Sequence, residues 1–379
     1  MSCSKGENIK KKLYDQLNFE SKDYIAEIKK RRAKNPNIKM YIWGTGSIAN
    51  GAAQTFLKND IPFDGFFVNV EKYTLDPRIA ALSKTVYNFD ELLKAGGYGF
   101  DVVIGHSHYE LASDLKKYPQ IQKIYYLAAI SRDDTKVSAD FVKENINALQ
   151  QTYDKLADEL SRKNLVAFLN AQLTGDISHI FKVFDKPSSY FDNDVVNLGD
   201  NEIYLDLGAY DGYSAEKFIS LAKNSNYKIF AVEVQKEMYD FLNKKFADNP
   251  RVKIFNVAIS DKCGKDFFSF DAQSTNLSKD GQEMEVITAD KFCERENIKN
   301  VSTIKIFIGG ERGIVPVLAG AKKIISRDIP KILIAIGLNQ NNLINCIPII
   351  DTAAHAKYKF YLRFTNASTE TLYLYAVPV

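Results

Sequence analysis

The residues best placed to do chemistry lie in Tyr204-Leu-Asp206-Leu-Gly208-Ala209-Tyr210-Asp-Gly212, where an acid ends an apolar run and two glycines precede a helical stretch. Glycine lets a ligand approach the backbone closely, and a following helix offers its first amides to a carboxylate. Asp206 is expected to hydrogen-bond, directly or through water, near the amino-acid end of a ligand held by this turn. A second acid closes the next apolar run, in Phe230-Ala-Val-Glu233-Val234. At the tip of an adjacent parallel strand a carboxylate can accept both hydroxyls of a ribose, so the spacing suits a nucleoside. The next run ends in Asn256-Val-Ala258-Ile259-Ser260-Asp-Lys-Cys-Gly264, where the base would lie. A tight structural turn is the alternative reading of the glycines alone, as a plain turn is of this third segment.

Such turns need a parallel sheet to hold them side by side. Glu202 to Leu207, Lys228 to Val234, Val252 to Val257, Thr303 to Ile308 and Lys331 to Ile336 read as its strands, separated by helical stretches. Tyr358 to Phe364 and Thr371 to Val377 alternate in polarity and are joined by Thr365-Asn-Ala-Ser, which predicts a closing hairpin. Five α/β units and a hairpin are the plan of a seven-stranded class I methyltransferase sheet with a reversed edge strand. Together with Glu233, that plan makes S-adenosylmethionine the expected ligand.

Upstream, Lys39 to Trp43 is a short apolar strand running straight into Gly44-Thr-Gly46-Ser-Ile-Ala49 and a helix to about Lys58. Further apolar segments at Ile61 to Val70, Phe89 to Leu93, Asp101 to Gly105 and Ile124 to Leu127 predict a small doubly wound, Rossmann-like α/β domain. Gly44-x-Gly46-x-x-Ala49 satisfies the dinucleotide fingerprint in its Gly/Ala form, with Glu71 near the place of a ribose-binding acid. Asn69 nevertheless occupies the expected strand tip, and a purely architectural turn stays open. His106 and His108 flank the crevice after the fourth strand, without a third metal ligand in view. From Ser138 to about His179 the periodicity becomes helical through Phe141, Ile146, Leu149, Tyr153, Leu156 and Leu160. The chain thus divides into an N-terminal helical segment (1–35), a Rossmann-like domain (36–135), a helical connector (136–195) and the S-adenosylmethionine-type domain (196–379).

Composition narrows the function classes. The 379 residues suffice for two domains with their own cores. Fifty basic against 47 acidic residues provide no basic field to gather nucleic acid. Lys29 to Arg32 reads as a solvated helical end. Cys3, Cys263, Cys293 and Cys346 are scattered, without a Cys-x-x-Cys pair, and read as reduced thiols of a cytoplasmic protein. No stretch approaches the roughly 18 apolar residues that span a bilayer. The expected partner is a small-molecule or glycan acceptor, and a homo-oligomer is compatible with the sequence.

Taken together, these segments resemble the FkbM family of S-adenosylmethionine-dependent methyltransferases. The resemblance rests on Tyr190-Phe, Asn201 to Gly212, Ala258 to Gly264, Thr288-Ala-Asp290, Ile304-Lys305, Leu318 to Ala321, Ile329-Pro330-Lys and Tyr361-Leu-Arg363, and covers about residues 185 to 379. It implies methylation of an oxygen, often a sugar hydroxyl in polysaccharide, glycolipid or antibiotic biosynthesis. One departure falls on the fourth strand. The family pattern resembles Ile-Lys-x-Asp-x-Glu-Gly-x-Glu, whereas this chain reads Ile304-Lys305-Ile-Phe307-Ile-Gly309-Gly310-Glu311-Arg312. Aligned from the strand, Phe307 replaces the aspartate, Gly309 the first glutamate and Arg312 the second. Counted back from Leu318, Glu311 takes the first glutamate's place. In either register the aspartate is gone, and Gly337-Leu338 stands where the family often has Tyr-His.

Methyl transfer to a hydroxyl needs in-line placement and gains from a base. Glu311 is the candidate base, with Lys305 and Arg312 as orienting charges. A solvated loop glutamate is the alternative reading of Glu311. Three functions compete: an O-methyltransferase acting on a sugar or sugar-linked small molecule, a non-catalytic scaffold that still binds the cofactor, and an NAD-dependent sugar oxidoreductase in the first domain.

Overall fold

The computed structural model describes residues 12–95, 99–106, 111–126, 137–186, 190–191, 194–222, 226–271, 274–277, 281–308, 313–355 and 357–379. Two α/β sheets and a smaller third one are joined by a helical layer. In the first sheet β1 (Lys39–Trp43), β2 (Gly65–Val68), β3 (Val86–Asn88), β4 (Phe100–Ile104) and β5 (Ile121–Tyr125) are all parallel, in the order β3-β2-β1-β4-β5. Unbroken apolar runs such as Met40 to Trp43 are what a sheet covered on both faces requires. Met40, Ile42, Phe66 and Val103 pack with Ile28 of helix Tyr24–Lys34 and with Ala49, Ala53 and Phe56 of helix Ser47–Lys58. Arg31 holds the first of these helices in place by pairing both Asp101 oxygens at 2.5 and 2.7 Å.

The opposite face, with Tyr41, Trp43, Phe67 and Val102, merges into the main core of the molecule. Helices Ala139–Glu144, Ile146–Lys155, Glu159–Thr174 and Ser178–Phe181 form the connector. Asp158 caps the third by accepting the Ser161 amide, and Gly175, left-handed at φ 73°, ends it. That helix is buried on most of its circumference, Asn164, Asn170 and Gln172 included. Its polar side chains are used inside: Asn164 donates to Leu362 O at 2.9 Å, and Asn170 exchanges hydrogen bonds with Asn18 and Gln16. The N-terminal segment therefore divides, its first described residues lying along the connector and Tyr24–Lys34 on the first sheet.

The second sheet contains β6 (Ile203–Leu207), β7 (Lys228–Val232) and β8 (Val252–Phe255). An inserted four-stranded sheet follows: β9 (Ala258–Ser260), β10 (Gly264–Asp271), β11 (Ser274–Leu277) and β12 (Gln282–Thr288), in the order β11-β10-β12-β9. The large sheet resumes with β13 (Thr303–Ile306), β14 (Lys331–Ile334), β15 (Tyr358–Phe364) and β16 (Leu372–Pro378), and its order is β15-β16-β14-β13-β6-β7-β8. Seven strands and the closing hairpin agree with expectation. The reversed strand does not lie at the edge: β16 runs antiparallel to both neighbours and sits between β14 and the edge strand β15. A hairpin fixes only that its two strands are antiparallel, not which of them joins the sheet. The inserted sheet was not foreseen, because β9 is three residues long and lacks alternation. Among the described residues no helix is long and apolar enough to cross a membrane.

Candidate functional site

In the large sheet the chain moves from β6 outward through β7 to β8 and then returns to β13 on the other side of β6. The crevice beyond the carboxyl ends of β6 and β13 is therefore the topological switch point, where open α/β sheets bind ligands. Asp206 and Lys305 are register partners on these strands and both are buried. Lys305 Nζ donates to Asp206 Oδ1 at 2.9 Å and to Gly208 O at 2.7 Å. The other Asp206 oxygen accepts the Ser214 hydroxyl at 2.5 Å, from the first turn of helix Tyr213–Leu221. One buried charge pair thus straps the glycine turn to two strands and a helix.

The turn has the backbone that glycine suits. Gly208 and Gly212 are left-handed at φ 83° and 79°. A Cβ on Gly208 would collide with the Phe307 carbonyl, and one on Gly212 would lie 2.8 Å from Leu242 and Phe246. The Gly208 and Ala209 amides both donate to Val232 O at 3.0 Å, joining the turn to the end of β7. Tyr210, at φ 48°, donates its amide to Glu233 Oε2, and Gln235 donates to Oε1, both at 2.8 Å. Asn256 then fixes the Glu233–Val234 backbone by donating to both carbonyls, at 2.8 and 2.9 Å. Burial pushes the Glu233 carboxyl above its usual range, against the opposing pull of the Gln235 and Tyr210 amides and Lys305.

Several expected residues therefore meet: Asp206, Gly208, Ala209, Tyr210, Gly212, Glu233 and Val234 form one continuous loop cluster. Ala258, Ile259 and Ser260 form β9, one step beyond Asn256, with buried side chains paired to Val286, Ile287 and Thr288. Lys305 enters the cluster from below, through Asp206 and Gly208. Glu311 and Arg312 lie outside the described residues, as does His108. Phe307 is 36% exposed at the tip of β13. Gly337, in the short helix Ile336–Leu338, has no room for a side chain: a Cβ would stand 2.5 Å from Thr369 O and 3.3 Å from the Phe168 ring.

Sequence reasoning missed Ser214 and the packing and holding roles of Tyr190 and Asn256. Ser214, eight residues after Asp206 in a strand-turn-helix unit, was within reach of that reasoning; the other two act through tertiary contacts. Tyr190 packs edge-on to Tyr213 and Tyr373, with ring centroids 6.0 and 5.1 Å away, and the Lys305 ammonium lies 5.7 Å from its ring.

At the first sheet's switch point, between β1 and β4, Gly44 is at φ 118° and a Cβ there would lie 2.8 Å from Gly105 O. Ala49 in turn packs on Gly105. The His106 ring stands edge-on to Trp43 at 4.4 Å, while Asn69 and Glu71 are exposed. No group of three or more His, Cys, Asp or Glu suited to a metal ion occurs among the described residues. Cys293 and Cys346 are buried thiols, the former pushed up to about 12 by burial.

No family model and no curated protein matches the sequence. Among solved structures, the FkbM methyltransferase from Methylobacillus flagellatus KT shares the fold with a TM-score of 0.63, at 17% identity, over 94% of this chain and 94% of that one. Weaker, partial likenesses include Aeropyrum pernix fibrillarin bound to S-adenosyl-L-methionine (TM-score 0.30, 14% identity, 47% of this chain and 67% of that one). Another is a SAM-dependent methyltransferase from Aquifex aeolicus (TM-score 0.28, 13% identity, 54% and 99%). The chain has the fold of the FkbM methyltransferase along nearly its whole length.

Proposed function

We propose that the protein is an S-adenosylmethionine-dependent O-methyltransferase acting on a hydroxyl of a sugar or sugar-linked small molecule. The observation that carries this reading is the buried Lys305–Asp206 pair strapping a left-handed glycine turn beside a carboxylate, Glu233, at the tip of the next strand. The residues fit the cofactor. Gly208 and Gly212 keep the backbone bare, and each Glu233 oxygen has a second lone pair for a ribose hydroxyl after accepting one amide. Ala209, Tyr210 and Val234 supply backbone around it, and Ala258, Ile259 and Ser260 form the wall beyond Asn256 where the adenine belongs.

S-adenosylmethionine, when bound, supplies an electrophilic methyl group on a positively charged sulfur. This chain's part is to hold that group in line with an acceptor oxygen and to exclude water. Lys305 acts through Asp206 and Gly208 and is a positioning residue. Glu311 is proposed to take the acceptor's proton, and Arg312 to orient it. The sugar acceptor follows the family resemblance, and the reduced-thiol pattern favours the cytoplasm. A binding-only scaffold is the second reading, favoured by the absence of the family's aspartate, whether Phe307 or Gly309 takes its place. For the first domain, the packing of Gly44 and Ala49 against Gly105 favours an architectural turn over a nicotinamide site.

The test is transfer of labelled methyl from S-adenosylmethionine to a panel of methyl glycosides and oligosaccharides. Label is expected on at least one acceptor and lost in Glu311→Gln. Cofactor binding without transfer to any acceptor would leave the scaffold reading in its place.

A further inference from the structure

Phe307 and Tyr213 stand on either side of the switch-point crevice and are conspicuously exposed for aromatic rings, at 36% and 44%. Each is braced from behind. Phe307 stacks nearly parallel to buried Tyr373, with centroids 6.5 Å apart and planes at 16°, and Tyr213 meets Tyr190 edge-on at 6.0 Å. Tyr190 closes the row by packing on Tyr373 at 5.1 Å. The Phe307 carbonyl abuts Gly208, so its ring sits beside the turn that would hold the reactive end of the cofactor.

We infer that Phe307 and Tyr213 form a ring-stacking wall on the acceptor side of this crevice, so that the acceptor lays a flat, uncharged ring face against them. This deepens the methyltransferase reading and rests on it for the place of the acceptor. Exposed rings held by other rings are preorganised to bury an apolar face, and binding sites are lined in this way. The buried Lys305 ammonium lies 5.5 Å from the Phe307 ring and 5.7 Å from Tyr190, and Lys217 lies 5.6 Å from the Tyr213 ring, so cations of the protein already sit against these π systems and a further cation is disfavoured. Asp206 neutralises the Lys305 ammonium. A residue that reads as a lost acid in the family pattern thus becomes a specificity determinant.

Saturation-transfer NMR on the full chain tests the wall, with methyl β-glucopyranoside, phenol and tetramethylammonium as probes, in the presence and absence of S-adenosylhomocysteine. Ring protons of the glycoside or of phenol are expected to receive saturation, and tetramethylammonium is expected to stay silent. The responding probe tells a sugar ring from an aryl ring. Phe307→Leu and Tyr213→Leu should each weaken the signal about fivefold, the weight of one aromatic contact, and Phe307→Tyr should keep it. Both leucine positions are exposed, and circular dichroism checks that the variants fold. Silence from both ring probes, undiminished signal in both leucine variants, or a response from tetramethylammonium alone overturns the wall. Calorimetry with S-adenosylhomocysteine keeps the two readings apart. Phe307-dependent ring contacts in a protein that does not bind it refute the cofactor reading and keep the wall; binding without ring contacts does the reverse.

Discussion

A buried lysine and a buried aspartate that face each other hold one another in place, because removing either strands a charge in a low-dielectric interior. Lys305 and Asp206 are in that position, and their remaining hydrogen bonds go to Gly208 O and the Ser214 hydroxyl. Asp206→Asn and Lys305→Met are each expected to destabilise the protein by about 3–5 kcal/mol, measured by chemical denaturation. The double variant Asp206→Leu/Lys305→Met should cost well under the sum of the two. Additive losses would contradict the strap. The glycines and acids of this site were legible because each does a local job: Gly208 and Gly212 take a left-handed backbone, and Glu233 ends a strand. Lys305 was legible as a charge and not as Asp206's partner, since that pairing depends on the register of strands 99 residues apart in the chain.

At the scale of elements, the most consequential feature is how the edge strand β15 is covered. An exposed strand edge invites pairing with another chain. Here Ala157 donates to Phe360 O at 2.8 Å, the Leu362 amide donates to the Ser161 hydroxyl, and Asn164 donates to Leu362 O. Arg363 fastens the cover: its guanidinium binds Asp158, the helix cap, at 2.7 Å and Asp194 at 2.6 Å. Burial works against ionisation of Asp158, but its bonds to Arg363 and Ser161 hold its carboxyl below the usual aspartate range. The Arg363 guanidinium does the same for Asp194. Depressed carboxyl values add stability that is fully present above the ordinary aspartate range and is lost as pH falls through the folded-state values. Arg363→Met is expected to cost about 2–3 kcal/mol at neutral pH, less than a fully buried pair because Asp194 is largely exposed. That penalty should shrink as the pH is lowered below about 4, in denaturation series of both proteins. A pH-independent difference would contradict it. Strand existence was legible here from alternation along Tyr358 to Phe364, whereas the covering contacts were not, because a polar helix face such as Ser161, Asn164 and Asn170 reads as solvent-facing until its partners are known.

Across the whole molecule, one core runs from Tyr41 and Phe67 of the first sheet through Leu149 and Phe168 of the connector to Leu205 and Ile304 of the second. The linker between domains, as the periodicity suggests it, is thus a structural layer of the second sheet. A fragment of residues 196–379 is expected to aggregate, with its β15 edge bare, whereas the full chain should stay monodisperse in light scattering. Equal behaviour of the two would contradict that role. The same layer sets the Phe168 ring 3.3 Å from where a Gly337 Cβ would stand. The proposed methyl transfer depends on the cofactor half of the crevice. Its most direct test is titration calorimetry of the full chain with S-adenosylhomocysteine. Saturable one-to-one binding is expected, weakened about tenfold or more in Glu233→Ala by the loss of hydrogen bonds to a charged acceptor. Absence of binding, or binding indifferent to Glu233, would contradict it.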